Sequence, residues 1–338
     1  MVMGDLTESH SAALRQLVNG FQVSQAIHVA AVLGIADLLA EGPRSSADLA
    51  AATDTHAETL YRVLRALASA GVFHEENGRR FALTPLGDCL RSDAPEPIGG
   101  WAAFIGRPYY WQAWASLLHS VRTGENAFRH VHGMDVWEYR TQQPEESPIF
   151  DRAMTDSTRR INRAILDAYD FGRFATVADV GGGHGALLAA LLAEHPRMRG
   201  ILFDQPHVVA KAGGVLSAVA DRCDVVGGSF FEAIPQGADA YVLKSVIHDW
   251  EDDEAVAILR TCRRAFSPDG TLLVVEWEIG PPNDGHAAKF GDLNMLVAPG
   301  GRERTTDEYA ALFASAGFRL VRVVPTNSGL GVIEGVAA

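Results

Sequence analysis

Residues 177–185 read Val-Ala-Asp-Val-Gly-Gly-Gly-His-Gly, and this run admits few folds. A short apolar strand stops at a turn nearly bare of side chains. Ala186, Leu187, Leu188, Leu191 and Leu192 then follow as a helix-like apolar run. Gly200-Ile-Leu-Phe-Asp204 is a second strand, closing on an acid. Strand, glycine turn, helix and strand begin a parallel α/β sheet. Its ligands sit at the carboxyl ends of strands, where glycine lets the backbone approach them closely.

The alternation continues to the end of the chain. Strands are expected near 176–180, 200–204, 224–227, 239–246, 271–278, 319–325 and 330–336. Helices are expected near 185–195, 206–218, 251–266 and 305–316, giving a mostly parallel sheet covered on both faces. Residues 10–95 read differently. Ser45 caps a short helix, Leu60, Val63, Leu64 and Leu67 mark a second, and Val72-Phe73 with Arg80–Leu83 flank a Glu-Glu-Asn-Gly turn. Helix, helix and hairpin is a winged-helix pattern. Residues 96–170 are irregular and then helical, crowded with Trp101, Phe104, Tyr109, Tyr110, Trp111 and Trp114. That crowd reads equally as a core between domains and as one wall of a pocket for a flat substrate. Phe150 to Tyr169 reads as a helix entering the second domain.

Charge removes one class of function. A winged helix invites a DNA-binding reading, yet residues 1–95 carry seven Lys/Arg against eleven Asp/Glu, within a chain of net charge −13. Phosphate binding needs the opposite balance. A pairing module fits better, because the apolar stripe of residues 21–40 is too rich for a solvent face. No nucleic-acid or membrane partner is expected. Val23 to Ala40 is interrupted by Gln25, His28 and Asp37, as in a buried helix. No charged-then-apolar leader is seen, and the three widely spaced cysteines suggest neither disulfides nor a zinc site. A cytoplasmic protein without a metal is expected.

A glycine turn with a distant acid is the layout for a nucleoside-bearing cofactor. Gly181-x-Gly183-x-x-Ala186 fits the loose dinucleotide fingerprint, so a nicotinamide cofactor is one alternative. Asp179 argues against it, since a carboxylate beside the turn repels pyrophosphate and suits a cation. S-adenosylmethionine carries an ammonium and a sulfonium. The plainer alternative is that Asp179 only turns the chain. Asp204 suits ribose hydroxyls with either cofactor.

The strand Ala240–Val246 runs into His248-Asp249-Trp250, and the acids Glu251–Glu254 then open a helix whose dipole favours them. His248 falls at a strand's carboxyl end. Glu276 ends the next strand, and Gly300-Gly301-Arg302-Glu303-Arg304-Thr305 follows in a loop. Two carboxylates can thus converge on one imidazole, fixing its tautomer and leaving one nitrogen as a base.

In order, Asp179-Val-Gly-Gly-Gly-His-Gly, Phe203-Asp204-x-Pro206, His248-Asp-Trp, Glu276 and Gly-Gly-Arg-Glu303-Arg-Thr resemble the S-adenosylmethionine-dependent small-molecule O-methyltransferases of the caffeic-acid type. Bacterial members act on natural products, and the likeness spans nearly the whole chain. It implies a Rossmann-like, doubly wound, mostly parallel seven-stranded sheet over residues 171–338. A helical connector at 96–170 and a mainly α-helical winged-helix dimerisation domain at 1–95 would precede it, making a homodimer.

The resemblance also implies roles. His248 would be the general base, with Glu276 and Glu303 as flanking carboxylates. Gly181, Gly183, Asp204, Lys244 and Thr158 would meet the cofactor, with Asp179 beside them. Met154, Asn294 and Met295 would line the acceptor pocket, and Trp101 and Phe104 are its aromatic candidates. One departure stands out. Where the family commonly has an Asp near the adenine, this chain reads Gly228-Ser229-Phe230-Phe231, so Ser229 and Phe230 take the cofactor positions without that charge.

The implied reaction is direct displacement of the methyl group by a hydroxyl oxygen of an aromatic small molecule. A phenol titrates near ~10 and imidazole near ~6.5, so prior proton transfer is uphill by roughly 5 kcal/mol. Proton removal should accompany methyl transfer. The alternatives are a nicotinamide-dependent oxidoreductase and the same fold used for hydroxylation or decarboxylation.

Overall fold

The computed structural model describes residues 9–338, apart from the side chain of Ser157. The chain forms two compact units. One comprises residues up to Trp111 with Arg140–Ser157, and the other Gln112–Tyr139 with Thr158–Ala338. Residues 96–170 are thereby divided between the two.

In the first unit, helix Ser46–Ala52 is capped by the Ser45 hydroxyl, and helix Ala57–Ser69 buries Leu60, Leu64 and Leu67. Strands β1 (Arg44–Ser45), β2 (Phe73–Glu76) and β3 (Arg80–Leu83) form an antiparallel sheet in the order β1-β3-β2. This is the expected helix–helix–hairpin, with β1 as an unforeseen third strand. Gly99 onward is helical rather than irregular, in the segments Gly99–Ile105 and Pro108–Ala115.

The second unit holds seven strands: β4 (Thr176–Val180), β5 (Arg199–Asp204), β6 (Cys223–Gly227), β7 (Ala240–Lys244), β8 (Thr271–Trp277), β9 (Phe318–Pro325) and β10 (Leu330–Ala337). Their order is β6-β5-β4-β7-β8-β10-β9. β4 to β8 pair in parallel, and β10 runs antiparallel to both neighbours. The central strands are buried along their length because helices pack on both faces. One face is built around Tyr241, Ile258 and Phe313, the other around Leu188, Leu191 and Val242. Winding reverses between β4 and β7, so a crevice opens where Val180 and Lys244 end.

Two further local expectations fail, and one helix is unforeseen. The helix foreseen at 206–218 breaks into Pro206–Val209, Gly213–Leu216 and a 3₁₀ turn, Ser217–Arg222. Gly213 and Gly214 supply poor helix propensity at the break. The strand foreseen to residue 246 stops at Lys244, where Ser245 adopts φ +55° and a 3₁₀ turn forms at Ile247–Asp249. Helix His286–Val297 was not foreseen at all. No helix among the described residues is long and apolar enough to cross a membrane.

Candidate active site

The glycine turn is shaped by contacts on both sides. Gly181, Gly183 and Gly185 have φ of +70°, +61° and +83°, a region that disfavours other residues. A Cβ on Gly181 would lie 2.7 Å from Val246, and one on Gly182 2.6 Å from the Asp179 carboxyl. A Cβ on Gly183 would meet open space. Asp204 ties the end of β5 to this turn. Its Oδ2 accepts from the Gly183 N–H at 2.8 Å and its Oδ1 from the Gln205 N–H at 2.7 Å. Each carboxylate oxygen retains a lone pair for a further donor.

Asp179 lies below the turn, 1% exposed, with Oδ2 buried and unbonded. Burial pushes its carboxyl up to about 6, against the pull of Lys244. Burial likewise lowers the Lys244 ammonium, while Asp179 and Glu276 favour its charge. Beside the turn opens a cleft of about 490 Å³, with Pro206, Ser229, Phe230, Phe231 and Trp250 among its walls. The Trp250 ring stands edge-on to Phe230 and Phe231, with centroids 5.8 and 4.9 Å away. The Ser229 hydroxyl accepts from the Phe231 N–H at 3.3 Å.

The imidazole sits one turn beyond β7. Glu276, fully buried at the end of β8, accepts through Oε1 from the N–H groups of Val246 and Ile247 at 2.9 and 2.8 Å. It therefore caps the turn that carries His248. Its Oε2 lies 3.4 Å from His248 Nδ1, and Glu303 Oε1 lies 2.9 Å from the same nitrogen. Nδ1–H thus donates to Glu303, and Nε2 engages neither glutamate. Its nearest carboxylate, on Asp249, is 3.6 Å away.

Burial opposes charge on this ring. The charges of Glu276, Asp249 and Glu303 and the bond to Glu303 outweigh it and push the imidazole up to about 10. Glu276 is itself raised to about 7, chiefly by burial. The three side chains place possible ligand atoms within 4.8 Å of one another. At 2.9 Å, however, Nδ1 and Oε1 are hydrogen-bonded, and a cation between them would have to break that bond.

Helix His286–Val297 passes beside Glu303, whose N–H donates to Asp292 Oδ1 at 3.0 Å. This helix carries Asn294, partly buried, and Met295, buried. Asn126 holds the end of the helix through the carbonyls of Leu296 and Ala298. Thr158, partly buried, lies on helix Ser147–Ala168 in the second unit. Met154, Trp101 and Phe104 belong to the first unit. There Phe104 is 2% exposed, packed edge-on against Trp101, Tyr110 and Phe150.

Sequence reasoning gave no site role to three contributors, namely Trp250, Asp252 and Arg304. Their signal was adjacency, since Trp250 follows the His-Asp pair and Arg304 follows Glu303.

A model of the O-methyltransferase domain matches residues 114–319, and a model of the O-methyltransferase dimerisation domain matches residues 15–93. The chain belongs to the O-methyltransferase family. It is 45% identical to phenazine O-methyltransferase PhzM of Lysobacter antibioticus, over 96% of this chain and 95% of the relative. It is 40% identical to the mitomycin biosynthesis 6-O-methyltransferase of Streptomyces lavendulae, over 94% and 91%. CalO1, a methyltransferase in calicheamicin biosynthesis solved with S-adenosylhomocysteine bound, superposes with a TM-score of 0.88 at 37% identity, covering 100% of both chains. A further relative has another reaction in its name. Aclacinomycin 10-hydroxylase RdmB of Streptomyces purpurascens is 37% identical over 87% of this chain and 81% of its own. This O-methyltransferase uses S-adenosylmethionine, so the nicotinamide alternative falls. The turn and cleft suit that cofactor. The Asp204 carboxylate keeps lone pairs beside the turn, a buried carboxylate oxygen of Asp179 without a partner underlies it, and three aromatic rings wall the cleft.

Proposed function

We propose that this enzyme methylates a hydroxyl group of a planar aromatic small molecule, with His248 as general base, and that it works as a homodimer. The observation that carries the base assignment is the pair of carboxylates on Nδ1 of His248, which leaves Nε2 for the acceptor proton. Asp204 would hold the ribose hydroxyls, with the backbone at Gly181 and Gly183 beside the cofactor. Phe230 and Trp250 would enclose its base, with Ser229 offering a hydroxyl. Lys244, Asp179 and Thr158 would complete its surroundings. Asn294 and Met295 would shape the acceptor pocket. When bound, S-adenosylmethionine supplies an activated methyl carbon on a sulfonium, whose positive charge opposes that of an imidazolium.

The carboxylates change the proton balance. An ordinary imidazole is mismatched to a phenol by roughly 3.5 pH units. A ring raised to about 10 is matched to it, so proton transfer to Nε2 is near balance. The cost is a smaller fraction of neutral imidazole at neutral pH. General-base help of this kind is worth about 10²–10⁴-fold. An aromatic acceptor is supported by the names of relatives, which include 3-amino-4-hydroxybenzoate 4-O-methyltransferase.

The test is incubation with methyl-labelled S-adenosylmethionine and a panel of phenols, catechols, hydroxyphenazines and hydroxynaphthoates. Label recovered as an aryl methyl ether supports the reading. An acceptor that gains oxygen or loses carboxylate without label would move the enzyme to the hydroxylase reading. Methylation of amines alone would overturn the hydroxyl assignment.

A further inference from the structure

The loop that delivers Glu303 to the imidazole also grips the turn from behind. Arg304 is the bulkiest of the fully buried side chains. Its guanidinium makes five hydrogen bonds. Nη1 donates to the carbonyls of Ile247 at 3.2 Å and Arg302 at 3.3 Å. Nη2 donates to the carbonyl of Trp250 at 2.7 Å and to Asp252 Oδ1 at 2.9 Å, and Nε reaches the same Oδ1 at 3.0 Å. The carbonyls of Ile247 and Trp250 bracket His248 in sequence. The His248 carbonyl itself accepts from the Arg302 N–H at 2.8 Å. Gly301 is pressed against this same backbone, since a Cβ there would lie 2.1 Å from the His248 oxygen.

One planar cation therefore fixes two functional surfaces. The turn it holds presents the His248 ring to Glu276 and Glu303. Two residues on, the same turn presents the Trp250 ring to the cofactor cleft. A fork of donors is needed to span both carbonyls, which an ammonium cannot do. Asp252 orients that fork from the first turn of helix Asp252–Ala265. The acid run at 251–254 thus contains one residue with a task beyond the helix dipole.

We propose that Arg304, anchored by Asp252, is a positioning residue that couples the orientation of the His248 base to the Trp250 wall of the cofactor cleft. The proposal rests on the reading of His248 as base, and its test needs no acceptor. Arg304→Lys and Asp252→Asn are compared with the unaltered protein. Asp252 is half-exposed, so its variant keeps the buried cation and should fold even where Arg304→Lys does not. Circular dichroism and thermal melting establish folding. Carbon-13 labelling of histidine follows the titration of His248, assigned with His248→Asn, and calorimetry measures affinity for S-adenosylhomocysteine.

Expected in each folded variant is a His248 titration displaced by one pH unit or more toward that of ordinary imidazole, together with an affinity 5- to 20-fold weaker. A folded variant in which either readout stays unmoved overturns the coupling. Failure of the base reading would show separately, as full turnover by His248→Ala once an acceptor is known.

Discussion

His248 Nδ1 is hydrogen-bonded to Glu303 Oε1 at 2.9 Å, and this bond decides which ring nitrogen can take a proton. With Nδ1–H committed to the carboxylate, Nε2 carries the lone pair in the neutral form of the ring. Replacing His248 by Ala removes the base and leaves the turn held by Glu276 and Arg304, which bond its backbone. Turnover is expected to fall about 10²–10⁴-fold with affinity for S-adenosylhomocysteine preserved. Steady-state rates at saturating cofactor, beside calorimetry on the same variant, check both halves. Undiminished turnover would remove the base assignment.

The same cluster ties stability to pH. The folded state raises His248 from its ordinary 6.5 to about 10, so it binds that proton more tightly than the unfolded chain. The stabilisation is complete below about 6.5 and is lost as pH rises through about 10. Glu276, raised from 4.5 to about 7, has the same sign over a lower window. Stability should decline from mildly acid to alkaline pH, by at most about 1.4 kcal/mol per pH unit for each group. Denaturant titrations from pH 7 to 10 should show the slope in the unaltered protein and a flatter one in His248→Ala. Equal slopes would mean that the imidazole is not held charged.

Asp204 joins the end of β5 to the glycine turn through the N–H groups of Gly183 and Gln205. Its remaining lone pairs are proposed to take the ribose hydroxyls. Charge-assisted hydrogen bonds are worth about 1.5–3 kcal/mol each. Asp204→Ala should therefore bind S-adenosylhomocysteine roughly 10- to 100-fold more weakly. Calorimetry giving an unaltered affinity would end the ribose assignment.

How much of this was legible depended on whether the signal was local. Asp179, the glycines, Asp204 and His248 lie at strand ends marked by abrupt changes of residue type, and the folded chain brings those ends together. The nearness of Glu276 to the imidazole also followed, because adjacent parallel strands deliver their carboxyl ends to one crevice, whereas Glu303 reaches it from a loop. The Arg304–Asp252 clamp did not follow. Asp252 sits among acids that suit a helix start on their own, so nothing in the run singled it out. Helix His286–Val297 was hidden because its apolar residues lie all round, with Phe290 exposed while Ala288, Met295 and Val297 are buried. Phe104 shows the limit of composition, since an aromatic crowd has the same residues whether it forms a wall or a core.

Gly301 tests the fit of the loop against the base. It adopts φ +65°, and an added Cβ would lie 2.1 Å from the His248 carbonyl oxygen and 2.5 Å from the Asp249 carbonyl carbon. Those are backbone atoms and cannot swing aside. Gly301→Ala should lose about 1–3 kcal/mol of stability and displace the imidazole from Glu303. Gly213→Ala is the control, because a Cβ there meets nothing within 4 Å, and it should be neutral or slightly stabilising. Chemical denaturation of both variants decides. Equal stability would show that the loop yields more easily than its contacts imply.

Helix His10–Val18 buries none of its residues, although Leu14, Leu17 and Val18 are 62%, 78% and 66% exposed. Nine residues are too few to hold a helix in water without packing. Phe21 and Val32, exposed on the next helix, extend the apolar surface within the segment that matches the O-methyltransferase dimerisation domain. A second copy of the chain is the proposed cover. Arginine at both Leu17 and Phe21 would place two charges where a partner must remove water, which costs far more than either apolar contact returns. The double variant should elute as a monomer in size-exclusion chromatography with light scattering, with its α/β unit still binding S-adenosylhomocysteine. A double variant that stays dimeric would move the pairing surface away from these helices.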